Sequence, residues 1–243
     1  MYHSIYNFDE KRYNFNDYLK QYYSKKYGPK DFSEYHQFLD DVLSRDEFYK
    51  TRVPIFGKTD RASPFIKDFY ELFDNDYTFL YKYLNFIKDN IQPHFDYEPL
   101  VVQRTPNIRF HLHGYSNIGR RDTDMYEDII GVHRDGEFGH PEDEINVVLP
   151  ITSMYDTNSI FYEPEPDSGL DYDDYCNMKL ETNQFYMGNL NRCNHYNRIN
   201  VSGSTRVSFD FRVIPYSKYR ETNTSSATSN KRFKLGDYYM LLY

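Results

Sequence analysis

The 243-residue chain has no tryptophan and only two cysteines, Cys176 and Cys193. Two thiols cannot make a disulfide framework for a chain of this length, so they are expected to be free thiols in a reducing compartment. No stretch approaches the ~20 apolar residues needed to span a bilayer. The segment from Met1 to Tyr13 lacks the apolar core of a signal peptide. The expectation is a soluble, cytoplasmic protein with no membrane partner. Positive charge is also in deficit: 29 Lys and Arg stand against 37 Asp and Glu, for a net charge of −8. A broad basic face is therefore missing, and no nucleic-acid partner is expected. There is no Gly-x-Ser-x-Gly nucleophile elbow, no Walker-type phosphate loop and no dinucleotide glycine fingerprint. Internal repeats are absent too.

What is present is aromatic: 27 Tyr and 19 Phe. These rings must do much of the packing, and each buried tyrosine hydroxyl needs a partner. Residues 1–95 read as mainly helical. Asp31 and Glu34 have capping-box spacing, followed by an apolar stripe at Phe38, Val42 and Leu43. Ser63-Pro64 reads as a second helix start. Phe65, Phe69, Leu72 and Phe73 keep helical spacing. Asp74-Asn75-Asp76 interrupts or recaps, and Leu80, Tyr83, Leu84, Ile87 and Ile91 continue the stripe until Pro93.

From about residue 100 the pattern changes to short strands: 100–103, 107–112, 129–133, 144–151, 158–162, 184–187, 195–200 and 205–214. The last is the clearest. Val207, Phe209, Phe211 and Val213 make an apolar face, and Arg206, Ser208, Asp210 and Arg212 a polar one. In a double-sheet barrel such a strand can pack its apolar face on helices and turn its polar face to a pocket. Residues 116–128 read as a loop. Residues 163–175, acidic and turn-rich, read as a solvated loop or as a lid that recognises a cationic substrate. Residues 217–232 read as a flexible connection, and Leu235 to Tyr243 as aromatic enough to dock back. The expected fold is α+β, a jelly-roll-like β-sandwich with N-terminal helices on one sheet. It forms a single domain over 1–243, with a helical part (1–95), a β core (100–215) and a C-terminal tail (216–243).

The chemistry centres on His133, Asp135 and His195. In an extended strand His133 and Asp135 point the same way, about 7 Å apart, and His195 can join them from a neighbouring strand. Two imidazoles and one carboxylate leave open coordination positions, a facial triad that suits non-haem Fe(II); the donor set alone also admits Zn or Mn. Arg206 and Ser208 share a strand face, and a guanidinium fork binds both oxygens of a carboxylate. His111 and His113 form a rival pair, but no Glu follows at the spacing such a pair would want. His140 reads as a turn-stabilising or substrate-contacting residue. Asn146 reads as a cosubstrate or near-iron contact, or as a backbone-satisfying Asn, and Arg109 poses the same choice. Asn158, Glu163, Arg120 and Arg121 are further substrate-anchoring candidates. Cys193, without a spare base, is not a nucleophile.

His-x-Asp, a distal His, and Arg-x-Ser beginning eleven positions after it resemble the Fe(II)/2-oxoglutarate-dependent oxygenases. The wording of His133-Arg134-Asp135, Gly139-His140-Pro141, Glu144-Ile145-Asn146, Leu149-Pro150, Asp156-Thr157-Asn158 and Arg206 to Val213 is similar to a subgroup associated with streptomycin-type biosynthesis. The resemblance covers roughly residues 100–215. It implies a double-stranded β-helix and Fe(II) held by His133, Asp135 and His195. It further implies 2-oxoglutarate as cosubstrate, its distal carboxylate on Arg206 with Ser208 as helper, while Asn146 remains a candidate contact to the cosubstrate or to an oxygen near iron. O2 would be consumed, ascorbate would stimulate, and succinate and CO2 would be released. Asp135 stands where related halogenases lack a carboxylate, which favours hydroxylation, or desaturation or ring formation by the same chemistry. The expected substrate is a small polar metabolite. The alternatives are a protein or peptide hydroxylase and a non-catalytic β-sandwich binding module.

Overall fold

The computed structural model describes residues 3–38, 63–114, 129–226 and 229–243, with backbone only at 129 and 130. The helical block begins differently from expectation. His3–Asn7 is a strand, β1, paired antiparallel with β8 (Gln184–Gly188) so that Ile5 lies opposite Tyr186. A five-residue polar segment carries little strand signal of its own. It is a strand because β8 offers it a row of backbone partners. Helices α1 (Glu10–Tyr13) and α2 (Phe15–Tyr27) follow. Asp31 does cap, accepting from the Ser33 amide at 3.1 Å, but what it caps is a 3-10 turn over Phe32–Gln37 rather than a long helix. Val42 and Leu43 lie outside the described residues.

Helix α3 (Pro64–Asn75) begins with Pro64 in its first turn, as expected, although Ser63 makes no side-chain cap. Asp76 recaps, accepting from Thr78 and Phe79 to open α4 (Tyr77–Asn90). A 3-10 turn over Gln92–Phe95, containing Pro93, ends the block.

The strands form two antiparallel layers. The larger sheet runs β1-β8-β5-β10-β2-β11, with β3 also on β10. Here β2 is Leu100–Gln103, β3 Asn107–His111, β5 Ile145–Pro150, β10 Arg206–Pro215 and β11 Tyr239–Leu242. The smaller sheet runs β4 (Ile129–His133), β9 (His195–Arg198), β6 (Phe161–Tyr162) and β7 (Cys176–Asn177). Two expected strands are cut back by two residues or more at one end. Residues 156–158 form a 3-10 turn ahead of β6. β9 stops at Arg198, and beyond it the Asn200 side chain donates through Nδ2 to His111 O at 2.8 Å and to Ser204 O at 2.7 Å. The 116–128 loop lies outside the described residues.

β10 divides the interior. Val207, Phe209, Phe211 and Val213 are buried in one cluster with Phe15 of α2, Phe69 of α3, and Phe79 and Phe86 of α4. Phe209 meets Phe69 at 5.3 Å and Phe79 at 5.9 Å, and Tyr83 meets Phe211 edge-on at 5.1 Å. Such pairs contribute about 0.5–1.5 kcal/mol each beyond burial. Two fully buried tyrosine hydroxyls are satisfied by backbone: Tyr23 donates to Phe65 O and Tyr83 to Gln103 O. The opposite face of the sheet looks toward the smaller sheet. Val148 and Tyr186 join Met154, Met178 and Leu190 there, beside the polar residues of β10. The C-terminal stretch docks as expected, with β11 on β2 and Phe233, Tyr238 and Tyr239 packed on Val101 and Ile214. The stretch read as a flexible connection is anchored where it is described. Thr224 donates to Gly139 O at 2.7 Å, and the Phe233 amide to Thr224 O at 3.0 Å.

Candidate metal centre

Strand alternation was expected to bring His133 and Asp135 together. The structure reaches the same convergence by a different route. Gly131 has φ +67°, the left-handed region where glycine carries no Cβ penalty. The β4–β9 register shifts between Ile130 and His133, which puts His133 directly opposite His195. β4 then ends, and Asp135 opens a 3-10 turn over Asp135–Phe138. The turn is pinned from a distant loop: the Asp135 amide donates to Leu190 O at 3.3 Å and the Gly136 amide to Asn191 O at 3.0 Å. A Cβ on Gly136 would stand 2.7 Å from Asn191 Oδ1 and 3.0 Å from its carbonyl. Glycine is therefore required at Gly136 for close approach, and that approach aims Asp135.

The three ligand atoms lie within 4.8 Å of one another, and among the described residues this is the group of His, Cys, Asp and Glu able to hold a metal ion. Asp135 Oδ1 is 3.7 Å from Nε2 of each histidine. The other ring nitrogens face backbone: His133 Nδ1 lies 2.5 Å from Gly131 O and His195 Nδ1 3.2 Å from Cys193 O. A proton on each Nδ1 satisfies those carbonyls and leaves both Nε2 lone pairs open, which is how an outer partner selects the metal-binding tautomer. Asp135 Oδ2 is closed from behind by Arg212 Nη2 and Asn146 Nδ2, each at 2.6 Å. Burial pushes the Asp135 carboxyl up, but Arg212 and the two histidines outweigh it and hold the group well below the usual carboxylate range. Burial, then His133, pushes His195 down to about 4. Burial also opposes charge on His133, yet the adjacent Asp135 prevails and raises it. The donor set and its orientation fit a divalent ion.

A second polar focus lies further along β10. Arg206 is fully buried. Its Nη1 donates to Asn158 O at 2.7 Å and its Nη2 to Asn197 Oδ1 at 3.1 Å, while Nε has no partner. Among the described residues no carboxylate forms an ion pair with it. Burial, and then Arg109, pull its pKa down to about 9. Ser208 is buried on the same face, between Arg206 and Asp210.

The remaining candidates separate cleanly. Asn146 is committed at both ends, donating to Asp135 and accepting from the Asn191 amide at 3.1 Å. Of the readings the sequence offered, these contacts fit the backbone-satisfying Asn, which here also braces Asp135. His111 sits opposite Arg206 in the sheet, its Nδ1 3.3 Å from Asn158 O, while His113 Nδ1 faces the Gly203 amide at 3.1 Å, so the two do not form a metal pair. His140 lies 2.7 Å from buried Glu144, which also accepts from Tyr239 OH. That favours the turn-stabilising reading. Arg109 pairs with Asp210 at 2.6 Å. Glu163 is buried and accepts from Ser168 and Asn194, bracing the acidic loop. Cys193 lends its carbonyl to His195, and burial pushes its thiol up to about 11. Arg120 and Arg121 lie outside the described residues. The sequence reading undervalued Arg212, Asn191 and Asn197. Only Arg212 was within its reach, because it shares the polar face of β10.

Comparison with known proteins follows the same line. No family model matches the chain. The chain is 26% identical over 184 residues to the streptomycin biosynthesis protein StrG of Streptomyces griseus, spanning 75% of this chain and 78% of that protein. The resemblance read from the motifs holds. Solved structures similar to this chain include EvdO2 of Micromonospora carbonacea var. aurantiaca, 12% identical with a TM-score of 0.43 over 88% of this chain and 86% of that one. They also include the non-haem monooxygenase ThoJ, 12% identical with a TM-score of 0.41 over 82% and 70%. A third is the non-haem α-ketoglutarate-dependent epimerase SnoN of nogalamycin biosynthesis, 10% identical with a TM-score of 0.40 over 73% of each chain. Among the described residues no helix is long and apolar enough to cross a membrane.

Proposed function

We propose that the protein is an Fe(II)- and 2-oxoglutarate-dependent dioxygenase, most simply a hydroxylase of a small polar metabolite, built as one double-stranded β-helix domain. The observation that carries this reading is a pairing. Three ligand atoms converge with their coordinating faces open, and the same inward side of the fold holds a buried arginine with no carboxylate of its own among the described residues. His133, Asp135 and His195 would hold the iron. When bound, iron and 2-oxoglutarate supply the oxidising chemistry, with succinate and CO2 released.

The protein's own contribution is placement. The carbonyls of Gly131 and Cys193 fix the two imidazoles. Arg212 and Asn146 fix the carboxylate. Arg206 provides a charged fork for the far end of a dicarboxylic acid, with Ser208 beside it. Asn158 O and Asn197 hold that fork without neutralising it. The test is succinate formation from 2-oxoglutarate with Fe(II), O2 and ascorbate, during an untargeted metabolite screen for products heavier by one oxygen. The expected result is substrate-stimulated succinate that disappears in His133→Ala. Undiminished turnover in that variant would refute the reading.

A further inference from the structure

Behind Asp135 stands a charged chain that the site does not need merely to hold a metal. Arg212 Nη2 donates to Asp135 Oδ2 at 2.6 Å. Arg212 Nη1 donates to Asp210 Oδ1. Asp210 accepts in turn from Asn107 Nδ2 at 2.9 Å and from Arg109 Nε at 2.6 Å. The sheet register builds this arrangement. Asp210 faces Asn107 on β3, and Arg212 faces Asn146 on β5, so that Arg212 and Asn146 reach the same oxygen of Asp135 together. Arg212 and Asp135 are both buried.

We propose that Arg212, anchored by Asp210, is a positioning residue that holds Asp135 as a one-oxygen ligand and weakens its donation, so that iron bound there is biased toward its reduced state. The inference rests on the iron reading given above. A carboxylate whose rear oxygen takes two hydrogen bonds, one from a guanidinium, cannot swing round to chelate with both oxygens. Outer partners of this kind tune a metal through its ligand. A fixed positive charge beside the ligand also opposes the extra charge of an oxidised ion, and does so more strongly in a buried site than in water. Both effects have the same sign: removing Arg212 stabilises Fe(III) relative to Fe(II). Removing the negative charge of Asp210 while leaving Arg212 has the opposite sign.

That opposition separates electrostatic positioning from simple loosening of the fold. The full-length protein is loaded with Fe(II) without oxygen, and the Fe(III)/Fe(II) ratio is measured by electron paramagnetic resonance at a series of imposed potentials. At the wild-type midpoint, Arg212→Met is expected to raise the Fe(III)/Fe(II) ratio at least about tenfold, a fall of about 59 mV for a one-electron couple. Asp210→Asn is expected to lower the ratio, and Arg212→Lys to restore it to within about threefold of wild type. If Arg212→Met does not fold, the direction of the Asp210→Asn shift decides. Midpoints that do not move, or that move the same way in both neutralising variants, overturn the inference. They leave the metal site intact as long as the wild type binds Fe(II). A wild type that binds no Fe(II) overturns the metal reading, and this inference with it.

Discussion

Arg206 and Arg212 stand on the same face of β10 and are both buried, yet they keep opposite company. Arg212 is held between two carboxylates, Asp135 and Asp210. Arg206 meets only neutral oxygens, from Asn158 and Asn197, and Nε is without a partner in both arginines. Burial without a counter-charge is costly, and breaking a buried pair is costlier still. One guanidinium is therefore neutralised within the folded chain, while the other is the one proposed above to receive 2-oxoglutarate. Ion pairing separates the two independently of the Arg-x-Ser spacing that singles out Arg206 in the sequence.

The comparison can be broken in several ways. The largest effect is expected at the metal ligands: His133→Ala should lose succinate formation and metal binding together, read by turnover and by calorimetry with Fe(II). Next come the two arginines, which should diverge. Arg212→Met leaves two carboxylates buried without their shared cation and should destabilise the metal-free protein by about 3–5 kcal/mol in urea unfolding. Arg206→Met removes an unmatched cation. It should leave the metal-free protein as stable or more stable, while weakening 2-oxoglutarate binding by about 3 kcal/mol or more, over a hundredfold. Equal destabilisation by both variants would dissolve the contrast.

On the other face of β10, Phe209→Ala should cost about 3–5 kcal/mol with little change in 2-oxoglutarate affinity per folded molecule. A smaller effect is expected from acid. Burial pushes the Asp210 carboxyl up, but Arg109 and Arg212 prevail and hold it well below the usual range. Its stabilising contribution is therefore present above the ordinary aspartate pKa of about 3.9. It is lost as pH falls below that value toward the depressed folded-state value. Asp210→Asn should be less stable near neutrality and show a shallower loss of stability below about pH 4, measured by unfolding at a series of pH values.

Much of this was legible along the chain because it depends on local alternation. Val207, Phe209, Phe211 and Val213 announced the outer face of β10, and Arg206 to Arg212 its inner one. The same rule picked three side chains that do converge, for a partly wrong reason. Asp135 is aimed by a 3-10 turn pressed on Asn191, a contact written in Gly136 and in a loop far downstream. β1 was illegible for a similar cause, since His3–Asn7 is a strand only because β8 needs a neighbour. The commitment of Asn146 to Asp135, and the pairing of Arg212 with Asp135, depend on which strands lie side by side. No spacing within one segment carries that information.

The most direct test is calorimetric titration of 2-oxoglutarate into the Fe(II)-loaded protein without oxygen, comparing wild type with Arg206→Met. Saturable one-to-one binding in the wild type, weakened more than a hundredfold in the variant and absent from His133→Ala, is the predicted result. Binding of equal strength in wild type and Arg206→Met would contradict the account.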